Sequence, residues 1–151
     1  MESQPRTFTD AAGRTWTVAI NIGAIRRVQK LAEVELGWPE LKLLHAVCTN
    51  TMLLSDIMYA LCKPEADKLG LSQEDFDKGM TGDAIEQAET AFWEAYGDFL
   101  PSAKRAALKI MVDKVHKLFE DAGNAAIQRL EALDVNKIVD DAFREKDESH
   151  G

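Results

Sequence analysis

The chain has 151 residues, of which 46% are hydrophobic and 29% charged, the composition of a folded domain rather than a disordered segment. Its net charge of −8 disfavours nucleic acid and anionic membranes as main partners, because both attract basic surfaces. No apolar run approaches the ~20 residues that a membrane span needs, and no signal segment precedes the first helix. We therefore expect a cytoplasmic protein with one domain over residues 1–143 and a flexible polar tail over residues 144–151.

Residues 6–20 predict a β-hairpin. Two β-prone segments flank a turn at residues 10–13, where Gly13 permits a positive φ. Side chains two residues apart on a strand point to the same face, so one apolar face is expected to be buried. Its members are Phe8, Trp16, Val18 and Ile20. Because an isolated hairpin is marginal in water, it must pack on the helices or pair with another chain.

Three helices are predicted between residues 21 and 63. Asn21 is a good N-cap for the first helix, and Gly37 is a good terminator for it. Pro39 opens the second helix. The third helix is expected to end before Pro64, because a proline disfavours the α conformation in the residue that precedes it. A proline can also begin a helix, so a separate short segment is expected over residues 64–69.

Further helices are predicted after residue 70. Ser72 and Asp75 have the spacing of a capping box for a short helix. An aromatic-rich helix then ends before Pro101, the longest helix begins at Ser102, and Asp134 caps a last helix through residue 143. The fold class is therefore mainly α, a bundle of about five to seven helices with an N-terminal β-hairpin.

The longest helix carries apolar residues at intervals of three and four, which predicts one continuous apolar face. Its members are Leu108, Met111, Val115, Leu118, Ala122, Ala126, Leu130 and Leu133. Gly123 and Asn124 are poor helix formers and are places where this helix can kink or break.

The negative charge is concentrated in the middle of the chain. Residues 64–101 contain two basic and ten acidic residues, whereas residues 102–132 contain six basic and four acidic ones. The two stretches are expected either to pair with each other or to polarise the surface. The middle of the chain is thus the predicted region for a partner.

No catalytic, cofactor or metal motif is evident. Asp113, His116 and Glu120 share one helical face, but di-metal bundles need a second acid-x-x-His unit and further glutamates. His45 lies three residues before Cys48, which permits a thiol–imidazole pair, although a buried structural cysteine is the alternative. We predict a protein that is not an enzyme and that binds neither metal nor cofactor.

The candidate partner-binding residues are Phe92, Trp93, Tyr96, Met111 and Leu118. The three aromatic residues lie close together, and Trp93 points about a quarter-turn away from the direction of Phe92. Two interpretations are open. Either these aromatic side chains all belong to the core, or Trp93 and part of the long helix form a groove for an amphipathic segment of another chain.

Six short motifs follow one another in the first two-thirds of the chain. They are FTDAAGRTW at residues 8–16, AIRRV at 24–28, LCKP at 61–64, SxEDF at 72–76, GDAI at 82–85 and DFLP at 98–101. In this order they resemble the small tail assembly chaperones of tailed phages and prophages. The resemblance extends from about Phe8 to Arg105.

The resemblance implies a mostly helical protein of the bacterial host cytoplasm that is absent from the finished virion. Such a protein would bind the tape-measure protein, keep it soluble and help tail-tube subunits polymerise around it. Homo-oligomers are also possible, because the hairpin has a free edge and a fibrous client rewards multivalent binding. The alternatives are a phage virion structural or connector protein and an acidic regulatory binding protein. Neither nucleic acid nor a membrane is an expected partner.

Overall fold

The computed structural model describes residues 5–133 and 135–148 and is mainly α, with an N-terminal hairpin, which confirms the predicted fold class. The hairpin consists of β1 (Arg6–Thr9) and β2 (Thr15–Val18). The helices in the described residues are α1 (Ile22–Ala32), α2 (Leu41–Thr49), α3 (Thr51–Lys68), α4 (Gln73–Lys78), α5 (Asp83–Phe99), α6 (Ser102–Ala132) and α7 (Val135–Glu148).

The chain divides into an N-terminal unit, Met1–Val115, and a C-terminal unit, His116–Gly151, and each is described by itself. The single domain over residues 1–143 stays a prediction. Where the sequence suggests a polar tail, α7 continues to Glu148. The expected cap Asp134 and residues 149–151 lie outside the described part. None of the described helices is both long and apolar enough to cross a membrane.

The hairpin buries the face that its alternation predicts. Its strands pair antiparallel with Phe8 opposite Trp16, and both of these side chains and Val18 are buried. Ile20 is only partly buried and packs against the same core. The strands contact α5 and α3, and this packing explains how a two-stranded sheet persists in water.

The hairpin turn is organised around the buried carboxylate of Asp10. Its oxygens accept hydrogen bonds from Trp16 Nε1 at 2.9 Å, from Arg14 Nε at 3.0 Å and from the backbone N–H groups of Ala12 and Arg14. Burial raises the pKa of Asp10, but the hydrogen bonds from Trp16 and Arg14 outweigh it and leave the pKa below its ordinary value.

The hairpin turn packs directly against the backbone of Gly79. Its carbonyl accepts a hydrogen bond from the backbone N–H of Ala11 at 2.8 Å. A Cβ at position 79 would lie 2.6 Å from Asp10 Oδ2, so only glycine fits at this approach. Arg14 completes the joint by donating from Nη2 to the carbonyl of Asp75 at 3.0 Å. The turn therefore binds hairpin and α4 together.

The sequence predicted the beginning of α1 correctly but not its end. Asn21 caps the helix as predicted, since its Oδ1 accepts a hydrogen bond from the backbone N–H of Ala24 at 2.8 Å. The expected end near Gly37 is wrong. The helix stops after Ala32, because Glu33 adopts the left-handed conformation with φ 57° and ψ 34°. Residues 33–40 then form the connection to α2.

The predicted break at Pro64 is also wrong, because α3 passes through this proline without interruption. A proline has no N–H, so the carbonyl of Ala60, four residues earlier, loses its helical partner. The guanidinium of Arg27 on α1 replaces it, with Nε 3.0 Å from the oxygen of Ala60 and Nη2 3.3 Å from that of Leu61. A tertiary contact thus supplies the one donor that Pro64 removes from the helix.

The helix starts predicted at Ser72 and Ser102 are found where expected. The expected start at Pro39 is wrong, because α2 begins at Leu41 with Glu40 as its N-cap. Ser72 and Asp75 form the capping box reciprocally, with the backbone N–H of each donating to the side chain of the other. Pro101 follows the end of α5, and Ser102 begins α6. The longest helix is continuous through Gly123 and Asn124, so the weak helix formers do not interrupt it.

Candidate partner-binding site

The aromatic residues of α5 lie in the core of the N-terminal unit. Phe92 and Tyr96 are fully buried and Trp93 is nearly so. Trp93 Nε1 donates to Glu89 Oε1 at 3.3 Å, and Tyr96 Oη donates to the carbonyl of Leu36 at 2.7 Å. Burial raises the pKa of Tyr96 to about 12. The structure favours the core interpretation, and a partner-binding role for these three residues stays a prediction that requires them to be uncovered.

The apolar face of α6 is buried only near its beginning. Leu108 and Val112 are buried, whereas Met111 and Val115 are half-buried against the core of the N-terminal unit. Beyond Val115, the same periodic pattern continues but the side chains are exposed, 68% in the case of Leu118. Of the two candidate residues on this helix, Leu118 is therefore the one that is open to a partner.

The C-terminal unit exposes large apolar side chains on both of its helical segments. We refer to these as the C-terminal apolar residues, and they are Leu118, Ile127, Leu130, Leu133, Val139 and Phe143, each at least 44% exposed. Val139 and Phe143 are four residues apart on α7 and thus lie on one face of that helix. Concentrations of exposed apolar side chains are typical of protein-binding surfaces.

A second candidate surface lies in the N-terminal unit, where residues 33–40 connect α1 to α2. A half-open cavity of about 450 Å³ is found here, and we call it the Trp38 groove. Its apolar lining consists of Val34, Trp38, Leu43, Ala46 and Leu53. Its charged lining consists of Glu33, Glu35, Glu40 and Lys42. Trp38 is 51% exposed.

Sequence reasoning missed the Trp38 groove. Periodicity identifies faces of helices, but the groove is built largely by a connection that has no repeating pattern. The available signal was a tryptophan between Gly37 and Pro39, in a segment with three glutamates. A large aromatic residue between two helix-breaking residues does not belong to the apolar face of a helix, so its position could have indicated a separate binding surface.

Carboxylates of the acidic middle stretch hold the N-terminal unit together. Arg6 on β1 binds Asp98 through two hydrogen bonds of 2.9 and 3.1 Å and contacts Glu94 at 3.3 Å. The hydrogen bond from Arg6 keeps the pKa of Asp98 below its ordinary value. Ser55 Oγ donates to Asp77 at 2.6 Å. These acids therefore serve as joints between elements, in addition to any role towards a partner.

The basic beginning of α6 uses its charges in another way. Arg105 donates from Nε to the carbonyl of Gly97 at 2.8 Å and from Nη2 to that of Leu100 at 3.2 Å. These carbonyls lie at the C-terminal end of α5, where the helix dipole favours a cation. Lys104 Nζ lies 4.2 Å from the ring centroid of Trp38.

The thiols have the electrostatics of structural cysteines. Burial, together with a hydrogen bond of 3.2 Å to Glu89 Oε1, raises the pKa of Cys48 to about 12. Burial likewise raises the pKa of Cys62 to about 12. A nucleophilic thiol needs a lowered pKa, so this finding counts against a Cys48–His45 pair. On α6, Asp113, His116 and Glu120 are exposed.

No protein-family model, curated protein or solved structure matches the chain. The resemblance to tail assembly chaperones therefore depends on the short motifs, and these have structural places. The first motif forms the Asp10 turn, the second supplies Arg27 to the carbonyls before Pro64, and the fourth forms the capping box of α4. The residues of these motifs therefore support the fold rather than a chemical reaction.

Proposed function

We propose that this protein is a tail assembly chaperone of the tailed-phage type. It binds the tape-measure protein, keeps it soluble and assists the assembly of tail-tube subunits around it, without catalysing a reaction. It acts in the cytoplasm of the bacterial host. The observation that carries the proposal is the exposure of the C-terminal apolar residues, and the sequence resemblance adds the identity of the client.

Energetics support a binding role for these residues. Burial of a leucine side chain contributes roughly 1.5–3 kcal/mol, and Leu118 and Leu130, at 68% and 64% exposure, have most of this still to gain. Amphipathic helices bind one another through apolar anchors three, four and seven residues apart. A long helical client offers such anchors repeatedly, so it matches the spacing that α6 and α7 present.

The net charge of −8 supports a role that requires exposed apolar surface. Like charges keep molecules apart, and this repulsion limits aggregation through apolar side chains while no client is bound. A chaperone must present its binding surface before the client arrives, and an acidic chain can do so without precipitating.

Co-expression with the tape-measure protein encoded in the same phage genome tests the proposal. We expect the soluble fraction of the tape-measure protein to rise and the two proteins to co-purify. The double variant Leu118→Glu with Leu130→Glu should weaken binding by at least about tenfold, because two apolar anchors are lost. Asn124→Asp is the matched control, since it adds a charge to the same helix at about 120° around the axis from each of these leucines.

Two results would remove the proposal. One is failure of the tape-measure protein to become soluble or to co-purify with the wild-type chain. The other is abundant presence in purified virions by mass spectrometry, which would favour a structural or connector protein instead. Equal loss of binding in the Asn124→Asp control would show that α6 tolerates no added charge and would overturn the assignment of the binding residues.

A further inference from the structure

The Trp38 groove combines an exposed aromatic ring with an apolar floor. Trp38 is half-exposed, whereas Trp16 is fully buried and Trp93 is nearly so. The indole N–H groups of those two donate to Asp10 and Glu89 inside the N-terminal unit. An open tryptophan beside a cavity of about 450 Å³ is typical of the anchor positions that dominate protein interfaces.

The charged residues around the groove indicate whether its occupant is cationic or anionic. Three carboxylates, from Glu33, Glu35 and Glu40, line it together with one ammonium, from Lys42. Within the fold, the ammonium of Lys104 already lies 4.2 Å from the centroid of the Trp38 ring, a distance typical of cation–π contacts. The ring therefore accepts a cation, and the carboxylates attract further ones.

We propose that the Trp38 groove binds a segment of a partner protein in which lysine or arginine residues alternate with apolar ones. The apolar side chains enter the floor formed by Val34, Leu43 and Leu53, while the cations contact the carboxylates at its edge. This site is separate from the C-terminal apolar residues, and it stands whether or not the client is a tape-measure protein.

The backbone at Glu33 provides a variant that separates binding from folding. Glu33 adopts the left-handed conformation, with φ 57°, and glycine enters this region without steric cost. Glu33→Gly removes one carboxylate from the groove and also relieves the backbone. A loss of binding that accompanies an equal or higher thermal midpoint cannot be ascribed to unfolding.

Three synthetic peptides serve as probes. The first is a helical peptide of leucine and lysine, the second replaces each lysine by glutamate, and the third replaces each leucine by serine. Binding is measured by fluorescence anisotropy of labelled peptides, and its location by the indole N–H signals of the three tryptophans in ¹H–¹⁵N spectra. We expect the leucine–lysine peptide to shift the Trp38 signal selectively and to bind at least about tenfold more tightly than the others.

Variants then assign the contacts. Trp38→Ala should weaken binding by about tenfold or more, as for an interface anchor. Glu33→Gly and Glu35→Gln should each weaken it by about two- to fivefold, because exposed ion pairs are worth little singly. Glu86→Gln is the matched control, since it removes an exposed carboxylate from α5, outside the groove, and should leave binding unchanged.

Several outcomes would overturn the proposal. These are equal binding of the lysine and glutamate peptides, an unchanged Trp38 signal at saturation, or wild-type affinity in Trp38→Ala and Glu33→Gly. Sedimentation of the free protein tests whether a second copy of the chain occupies the groove instead. If the wild-type chain self-associates and Trp38→Ala abolishes it, a second copy of the chain fills the groove, and the proposal of a different partner fails.

Discussion

Helices α5 and α6 follow each other along the chain and carry comparable apolar stripes, yet they differ in what happens to those stripes. In α5, Phe92 and Tyr96 are fully buried, and the helix packs against β1 and α3. In the part of α6 beyond Val115, Leu118 and Leu130 are exposed. The two patterns look alike in sequence because periodicity reports the existence of an apolar face and not what covers it.

The N-terminal unit therefore uses its apolar side chains for folding, whereas the C-terminal unit leaves them accessible to a partner. The N-terminal unit matches its apolar faces and its buried polar groups internally, as with the four hydrogen bonds to the Asp10 carboxylate. The C-terminal unit holds apolar side chains in water, and their burial energy is still available for binding. Four sets of substitutions test this contrast between the two units.

The largest effect is expected from truncation of the α5 core. Phe92→Ala should lower the free energy of unfolding by about 3–5 kcal/mol, since it removes a fully buried ring and leaves a cavity. Urea denaturation followed by circular dichroism measures this change. A loss below about 1 kcal/mol would mean that α5 is no better covered than the end of α6, and the contrast would collapse.

A smaller loss is expected from the polar interior of the hairpin turn. Asp10→Asn should cost about 2–3 kcal/mol at pH 7, because Trp16 and Arg14 lose a charged acceptor. Asp113→Asn, an exposed change in the same unit, should stay within about 0.5 kcal/mol.

The cost of Asp10→Asn should also depend on pH. The folded pKa of Asp10 lies below the ordinary value of 3.8, so its carboxylate stabilises the fold fully at pH values well above 3.8. This stabilisation is lost as the pH falls through 3.8 towards the folded pKa. The gap between wild-type and variant stability should therefore narrow in that window, and a constant gap would contradict the network.

The contact between Arg27 and α3, the helix that contains Pro64, gives a third test. Arg27→Met should cost about 1–2 kcal/mol, because the part-buried carbonyl of Ala60 loses the donor that replaces the missing N–H of Pro64, and the carbonyl of Leu61 loses an additional donor. In a Pro64→Ala background, the new N–H can bond to Ala60, so the same change should cost about 1 kcal/mol less. A double-mutant cycle in urea measures the coupling, and strict additivity would show that Arg27 does not compensate for the proline.

The smallest effect is expected from the C-terminal apolar residues. Leu118→Ala and Leu130→Ala should each change the free energy of unfolding by less than about 0.5 kcal/mol, because these side chains are exposed. The same substitutions should reduce client binding. A loss above about 2 kcal/mol in the isolated protein would show that these leucines are covered, and their assignment to a partner would be wrong.

Local chemistry made much of the fold predictable. Asn21 as a cap, the Ser72–Asp75 capping box and the buried side of the hairpin all follow from interactions within a few residues, and the structure confirms each of them. The Trp38 groove was not predictable in this way, because its sides come from the connection after α1 and from residues of α2 and α3.

Composition and local patterns were enough to show that the chain is mainly helical with an N-terminal hairpin, and that its negative charge is concentrated in residues 64–101. The tertiary structure settled whether Pro64 ends a helix, since Arg27 comes from another helix to donate to the carbonyl of Ala60, which the proline leaves without a helical donor. It also decided that Phe92 is core and Leu118 is surface. Both outcomes have one physical cause. Caps and periodicity depend on residues within one helix or strand. Burial of a side chain, and replacement of a lost hydrogen bond, depend on a second helix or strand that local sequence patterns do not identify.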